Sequence, residues 1–123
     1  MGKNILVVDD DPLLCKLFAT TLEKHGYTAH VAYSGPDALE FLDRQAVDLI
    51  VLDVMMADMD GIDVVAHIRQ NPAYLRLPIV ILSARADLAS KRRGLVAGAT
   101  DYLIKPISTD ALLEHIRGLL PPD

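Results

Sequence analysis

Short apolar runs that stop abruptly at charged residues are the most constraining feature of this chain. Residues 5–8 are followed by three aspartates, residues 49–52 by Asp53, and residues 102–104 by Lys105. Continuous apolar runs of this length are typical of parallel strands that are buried on both faces of a sheet. Charges at their carboxyl ends would gather along one edge, the edge at which open α/β sheets bind ligands. Three carboxylates and one ammonium there suit a divalent cation beside a phosphoryl group.

Two further runs and five helical patterns complete the prediction of secondary structure. Residues 79–82 predict a fourth buried strand, and the more mixed residues 28–32 predict an edge strand. Capping residues and prolines mark the helix starts, and glycines or prolines mark several ends. The helices are expected after Asp11, after Ser34, near Gly61, from about Asp87 to Ala97, and after Ser108. The expected buried positions in the first and last helices are Leu14, Leu17, Phe18, Thr21 and Leu22, and Leu112, Leu113, Ile116 and Leu119.

Strict alternation of strands and helices predicts one α/β domain over residues 1–123. The expected architecture is a doubly wound, five-stranded parallel sheet with five helices and right-handed crossovers. A closed eight-unit barrel would need about twice this length. Of the two common open strand orders, 2-1-3-4-5 would place the first and third strand ends side by side. Residues 121–123 are left open as a natural C-terminus or the start of a linker.

Composition restricts the classes of function. The chain is 51% hydrophobic, but no apolar stretch approaches the roughly 20 residues of a membrane span, and residues 1–4 lead directly into a strand. We therefore expect a cytoplasmic protein without a membrane partner. The net charge of −5 argues against direct nucleic-acid binding, because phosphate backbones favour Lys and Arg. The single cysteine, Cys15, is expected to be a buried core thiol.

Each charged residue taken alone has an ordinary structural explanation. Asp11 can cap a helix, Asp9 and Asp10 can lie in a solvated turn, and Lys105 can be a surface lysine. Their joint position at strand ends needs a further explanation, because clustered carboxylates repel one another unless a cation or proton neutralises them. Hard oxygen ligands select Mg²⁺ or Ca²⁺, and an open site with few protein ligands and several waters favours Mg²⁺, for which Mn²⁺ could substitute.

Four stretches resemble the receiver domain of bacterial two-component response regulators. They are residues 5–12 (ILVVDDDP), 52–61 (LDVMMADMDG), 83–85 (SAR) and 98–106 (GATDYLIKP). Their order and spacing together are highly specific, and the resemblance covers essentially the whole chain. It implies the flavodoxin-like receiver fold. The strand order 2-1-3-4-5 is thus an implication of the resemblance and not of spacing alone.

The resemblance also implies a role for each charged strand end. Asp53 corresponds to the phosphoacceptor, which attacks a phosphohistidine on a sensor kinase. Asp10, Asp53 and the backbone carbonyl of Met55 correspond to direct Mg²⁺ ligands, and Asp9 would act through a metal-bound water. Lys105 would hold a phosphoryl oxygen.

A switch and a set of partners follow from the same resemblance. Ser83 corresponds to a hydroxyl that moves to the phosphoryl group, and Tyr102 to an aromatic that enters the space left behind. The bond between Lys105 and Pro106 is expected to be cis. The implied partners are a sensor histidine kinase or phosphotransfer protein, and a downstream effector or linked output domain. The domain would be a signalling element and not an enzyme, although it would promote its own phosphoryl transfer and dephosphorylation.

Other functions remain as alternatives. A non-phosphorylated, receiver-like scaffold or binding module would keep the fold without the chemistry. A flavodoxin-like cofactor protein is disfavoured, because an acidic turn after the first strand would repel a flavin phosphate. Hydrolysis of small phosphate compounds is a weaker alternative. The resemblance also places Met55, two residues after Asp53, at a position where receivers tune the lifetime of the phosphoryl group. Because an apolar side chain cannot orient an attacking water, this implies slow self-dephosphorylation.

Overall fold

One parallel sheet forms the centre of the molecule. The computed structural model describes residues 2–54 and 60–122. The strands are β1 (Asn4–Val8), β2 (Thr28–Ala32), β3 (Leu49–Asp53), β4 (Ile79–Ser83) and β5 (Asp101–Ile104). They lie in the order β2-β1-β3-β4-β5, and every neighbouring pair is parallel. The expected sheet and its strand order are confirmed.

A helix follows each strand, as predicted from the alternating pattern. The helices are α1 (Pro12–Lys24), α2 (Gly35–Arg44), α3 (Gly61–Arg69), α4 (Leu88–Ala97) and α5 (Thr109–Leu119). A short 3-10 turn at Pro72–Tyr74 was not predicted. Each helix begins after a residue whose side chain accepts a backbone N–H of the first turn, which satisfies donors that the helix itself leaves unpaired. These caps are Asp11, Ser34, Asp60, Asp87 and Ser108.

The two faces of the sheet carry separate hydrophobic clusters, because side chains alternate along each strand. One cluster packs α2 and α3 against the side chains of Leu6, Ile50 and Ile81. The other packs α1 and α5 against the face that includes Val7 and Val51. The strand interiors are buried on both sides, which explains their continuous apolar runs.

Two residues that were predicted to be buried are exposed. Leu17 retains 52% and Leu119 retains 36% of its accessible surface. In α1 the buried line runs through Cys15, Phe18 and Leu22, so Leu17 lies on the flank of the helix. Leu119 is the last residue of α5, one turn beyond the buried Ile116. The surface that a helix buries against the sheet is narrower than the set of apolar positions in its sequence.

Within residues 2–54 and 60–122, the helices are too short and too polar for any of them to cross a lipid bilayer.

Candidate functional site

The carboxyl ends of β1 and β3 bring three aspartates together. Val8 pairs with Leu52 across the parallel register, so the residues that follow them, Asp9 and Asp53, are neighbours. One carboxylate oxygen from each of Asp9, Asp10 and Asp53 lies within 4.8 Å of the other two. The structure therefore assembles the three carboxylates that the sequence placed at this edge.

The three aspartates differ in their environment. Asp9 and Asp53 are buried, with 3% and 5% of their surface accessible, whereas Asp10 is exposed. The carboxylate of Asp9 accepts the backbone N–H of Asp11 at 3.0 Å. Asp11 in turn caps α1 through the N–H groups of Leu13 and Leu14. The hydrogen bonds at the start of α1 thus hold the turn of Asp9, Asp10 and Asp11 in place. Because Asp10 is exposed, solvent can reach the carboxylate cluster.

Lys105 supplies a positive charge to the two buried carboxylates. Its Nζ lies 3.2 Å from Asp9 Oδ2 and 3.3 Å from Asp53 Oδ2. Burial opposes the charged form of Lys105, but the attraction of Asp53 and Asp9 outweighs it and raises the lysine pKa above 10.5. The Lys105–Pro106 bond is cis, as the resemblance implied. The backbone N–H of Lys105 donates to the carbonyl of Ser83 at 2.8 Å, which ties the lysine to β4.

Ser83 and Tyr102 both contact the backbone of Arg85. Ser83 is the last residue of β4 and is fully buried, and its Oγ accepts the Arg85 N–H at 3.0 Å. Tyr102 is 4% exposed, and its hydroxyl donates to the Arg85 carbonyl at 2.9 Å. Asp53 pairs with Leu82 in the sheet, so Ser83 lies one residue beyond the partner of Asp53. The two residues of the predicted switch are therefore connected through one peptide segment beside the acidic cluster.

Sequence reasoning missed the contribution of Gly61. Its N–H donates to the Val54 carbonyl at 3.0 Å, and α3 begins at this glycine. A Cβ here would overlap Val54 Cα and lie 2.7 Å from the carbonyl oxygen of Asp53. A glycine at the first position of a predicted helix, shortly after a strand end, was the available signal for this close approach.

Cys15 lies beside the acidic turn at the end of β1. The thiol is fully buried and donates to the Asp9 carbonyl at 3.4 Å. Burial, together with the nearby Asp9, raises its pKa to about 11. This environment agrees with the interpretation of Cys15 as a core thiol.

The donor set fits a hard divalent cation. Carboxylate oxygens are the ligands that Mg²⁺ and Mn²⁺ prefer, and the exposed Asp10 leaves room for water ligands. Three carboxylates and one ammonium leave two negative charges, which one divalent cation balances. The predicted carbonyl ligand, Met55, lies outside the described residues.

Comparisons with known sequences agree with this geometry. A family model described as the response regulator receiver domain matches residues 5–117. The transcriptional regulatory protein TrcR of Mycobacterium tuberculosis is 36% identical, over 95% of this chain and 45% of its own length. Response regulator MprA of Mycobacterium ulcerans is 41% identical, over 98% of this chain and 51% of its own length. The chain thus spans about half the length of these curated relatives.

Solved structures show the same fold over nearly the whole chain. The chemotaxis response regulator CheY4 of Vibrio cholerae superposes with a TM-score of 0.91 at 30% identity, covering 96% of this chain and 98% of that one. A BeF3-activated DrrB receiver domain gives a TM-score of 0.87 at 30% identity, covering 98% of both chains.

Proposed function

The chain belongs to the response regulator receiver domain family, and we propose that Asp53 is the residue that accepts the phosphoryl group. The observation that carries this proposal is a carboxylate at the end of a central strand, 5% exposed and 3.3 Å from the Lys105 ammonium, with two further carboxylates beside it. Phosphoryl transfer depends on alignment and charge neutralisation more than on covalent assistance. Two buried carboxylates beside the ammonium group of Lys105, with the exposed Asp10 next to them, suit that requirement.

The proposed phosphoryl source is a phosphohistidine on a sensor histidine kinase or phosphotransfer protein. A carboxylate oxygen of Asp53 attacks the phosphorus atom, and the phosphorus–nitrogen bond breaks as the phosphorus–oxygen bond forms. The bonding electron pair stays with the imidazole, which takes up a proton. Lys105 would hold a phosphoryl oxygen and oppose its negative charge.

We assign the cation site to Asp10 and Asp53, with Asp9 acting through water and with the backbone carbonyl of Met55. We propose Mg²⁺ or Mn²⁺ as the ion. A bound cation neutralises charge on the phosphoryl oxygens. Both carboxylate oxygens of Asp9 are already engaged, Oδ1 by the Asp11 N–H at 3.0 Å and Oδ2 by Lys105 Nζ at 3.2 Å, which favours an indirect role for Asp9. The exposed Asp10 is accessible to a hydrated ion.

The proposed switch uses the shared Arg85 segment. Because Ser83 Oγ accepts the Arg85 N–H, its own hydroxyl hydrogen is available for donation to a phosphoryl oxygen. Movement of Ser83 toward the phosphoryl group would draw the Arg85 segment with it. Tyr102 is already buried and hydrogen-bonded to the carbonyl of Arg85, so this movement would stabilise its inward orientation. Phosphorylation adds enough charge and enough acceptors to bias such a two-state segment.

The proposed output is a changed surface for a downstream effector or a linked output domain in the cytoplasm. TrcR and the PhoB protein of Rhizobium meliloti are named as transcriptional regulatory proteins, and residues 1–123 would correspond to their receiver part. The receiver itself would not bind nucleic acid. The scaffold alternative is not favoured, because the acidic cluster and Lys105 are intact.

We propose that the domain also promotes loss of its own phosphoryl group, but slowly. The apolar side chain of Met55 has no group that could orient an attacking water near Asp53. We therefore expect Asp53 to stay phosphorylated for minutes or longer after the donor is removed. Release of inorganic phosphate measures this lifetime, and a half-life of seconds would contradict the expectation.

The cation requirement provides a direct test of the proposal. Phosphoramidate, a small donor with a phosphorus–nitrogen bond, should phosphorylate the protein in Mg²⁺ at least about tenfold faster than in EDTA, because the metal contributes several kcal/mol to such reactions. Asp10→Asn should lower the Mg²⁺-dependent rate, whereas Asp43→Asn, an exposed change on α2, should not. Equal rates with and without the cation would contradict the proposed mechanism.

A further inference from the structure

Helix α4 approaches the sheet through a glycine that faces the predicted switch tyrosine. Gly94 is buried in the middle of α4. A Cβ added to it would lie 3.0 Å from Tyr102 Cδ2, 3.3 Å from Tyr102 Cε2 and 3.0 Å from Ile81 Cδ1. These separations are shorter than the optimal contact distance between carbon atoms. Because Gly94 has no side chain, the Tyr102 ring has room to lie against α4.

The tyrosine ring is fixed at its far end by a hydrogen bond. The Tyr102 hydroxyl donates to the Arg85 carbonyl at 2.9 Å, and the residue is 4% exposed. The ring is thus held between the α4 backbone and the Arg85 segment. A new methyl group at Gly94 would require the ring to shift by a few tenths of an ångström, and this hydrogen bond opposes that shift.

The contacts continue from Arg85 to the site. The Arg85 N–H donates to Ser83 Oγ at 3.0 Å, and Ser83 ends the strand next to β3. Two hydrogen bonds thus link Tyr102 to Arg85 and Arg85 to Ser83, and Gly94 faces the Tyr102 ring at the other end of this series. The series runs from the centre of α4 to the strand end beside Asp53.

We propose that Gly94 is a positioning residue for the switch, because its missing side chain makes the buried orientation of Tyr102 accessible. The inference rests on the proposed switching roles of Ser83 and Tyr102. Replacement by alanine should favour the outward orientation of the ring. Since coupling between two sites is reciprocal, the same replacement should weaken binding of any phosphoryl mimic that favours the buried ring.

The surroundings of α4 favour movement of the ring over movement of the helix. The Asp87 cap holds the first turn of α4, and Arg69 Nε donates to the Gly98 carbonyl at 2.9 Å just after its last turn. The Ile81 contact is the methyl end of a side chain and can turn aside. The remaining conflict is with the Tyr102 ring.

Fluorine NMR of protein labelled with 3-fluorotyrosine tests the inference. The chain has four tyrosines, and Tyr102→Phe identifies the signal of Tyr102. Gly118→Ala is a matched control, because its added methyl group meets no atom within 4 Å and it makes the same change inside a helix. We expect Gly94→Ala, but not Gly118→Ala, to move the Tyr102 signal to a solvent-sensitive position.

Beryllofluoride, used as a phosphoryl mimic with Mg²⁺, supplies the second measurement. We expect Gly94→Ala to weaken its binding at least about fivefold and Gly118→Ala to leave it unchanged. An unchanged Tyr102 signal together with unchanged beryllofluoride affinity would overturn the proposal. The ring measurement is repeated in Asp53→Asn, where displacement by Gly94→Ala should persist. Because this measurement needs no phosphoryl group, it tests the role of Gly94 even if Asp53 is not the residue that is phosphorylated.

Two double variants identify the group that meets the new methyl. We expect Gly94→Ala to lower the free energy of unfolding less in a Tyr102→Leu background than in the parent protein, even if the single variant is poorly folded. An equal loss in both backgrounds would contradict the proposal. Gly94→Ala/Ile81→Val removes the Ile81 Cδ1 contact. If this second variant restores the parent Tyr102 signal, the conflict lies with Ile81 and the inference is wrong.

Discussion

At the scale of single residues, Lys105 determines the electrostatic state of the site. Its ammonium lies between the carboxylates of Asp9 and Asp53, both of which are almost fully buried. Removing one partner of a buried charge pair is costly, because the other partner keeps its desolvation penalty without compensation. The lysine therefore stabilises the fold as well as serving the proposed chemistry.

We expect Lys105→Met to lower the free energy of unfolding by about 1 to 3 kcal/mol in buffer without divalent cations. Urea unfolding at neutral pH measures this loss. Addition of Mg²⁺ should stabilise the variant, since the cation replaces part of the missing positive charge. Asp53→Asn combined with Lys105→Met should cost less than the sum of the two single changes, because the pair interacts. An unchanged unfolding midpoint in Lys105→Met would contradict this description.

The stabilising contribution of Lys105 should also depend on pH. Its pKa is raised in the folded protein, so the contribution is complete below the usual value of 10.5 and is lost as pH rises through the folded value. The difference in unfolding free energy between the parent protein and Lys105→Met should therefore shrink above about pH 10.5. Comparison of the two proteins at each pH isolates this group, and a constant difference would contradict the assignment.

At the scale of elements, the contact between α3 and the end of β3 depends on one glycine. Gly61 brings the first turn of α3 against Val54 and the carbonyl of Asp53. The amino-terminal end of α3 is thereby held against the end of β3, the strand that carries Asp53. Displacement of this helix should disturb Asp53, the proposed phosphoacceptor, directly.

We expect Gly61→Ala to destabilise the protein by about 1 to 3 kcal/mol, since its methyl group would meet backbone atoms that cannot turn aside. It should also slow phosphorylation by small donors. Gly118→Ala, whose methyl group meets no neighbouring atom within 4 Å, should be neutral or slightly stabilising. Equal behaviour of the two variants in unfolding and phosphorylation assays would argue against the role of Gly61.

Local sequence signals predicted where helices begin better than they predicted which helix residues are buried. Capping chemistry is local, so Asp11, Ser34 and Ser108 identified helix starts correctly. Burial depends on the neighbours that a helix meets, and the exposed Leu17 and Leu119 show the resulting error. The close approach of Gly94 to Tyr102 was also beyond prediction, because it depends on how α4 packs against the sheet, which no local sequence signal specifies.

At the scale of the whole molecule, the parallel topology concentrates the site. Strand order β2-β1-β3-β4-β5 places the charged end of β1 beside that of β3 and the Ser83 end of β4 next to it. The positions of the charged residues were predictable because they follow apolar runs whose direction is fixed. The hydrogen bonds from Arg85 to Ser83 and from Tyr102 to Arg85 were not, since they depend on the path of one short loop.

The acidic cluster should couple cation binding to global stability. A ligand that binds only the folded state stabilises it by about 2.7 kcal/mol at a concentration one hundred times its dissociation constant. We expect Mg²⁺ to raise the melting temperature of the parent protein and to have a smaller effect on Asp10→Asn. Asp43→Asn, on α2 and outside the cluster, should respond like the parent. An equal change of melting temperature in all three proteins would show that Mg²⁺ does not bind at the acidic cluster.

Phosphorylation of Asp53 can be measured by intact-mass spectrometry after incubation of the protein with acetyl phosphate and Mg²⁺. The parent protein and Asp43→Asn should each gain the mass of one phosphoryl group. Asp53→Asn, shown by circular dichroism to be folded, should gain none. No mass gain in the parent protein, or an equal gain in Asp53→Asn, would show that Asp53 is not the residue that accepts the phosphoryl group.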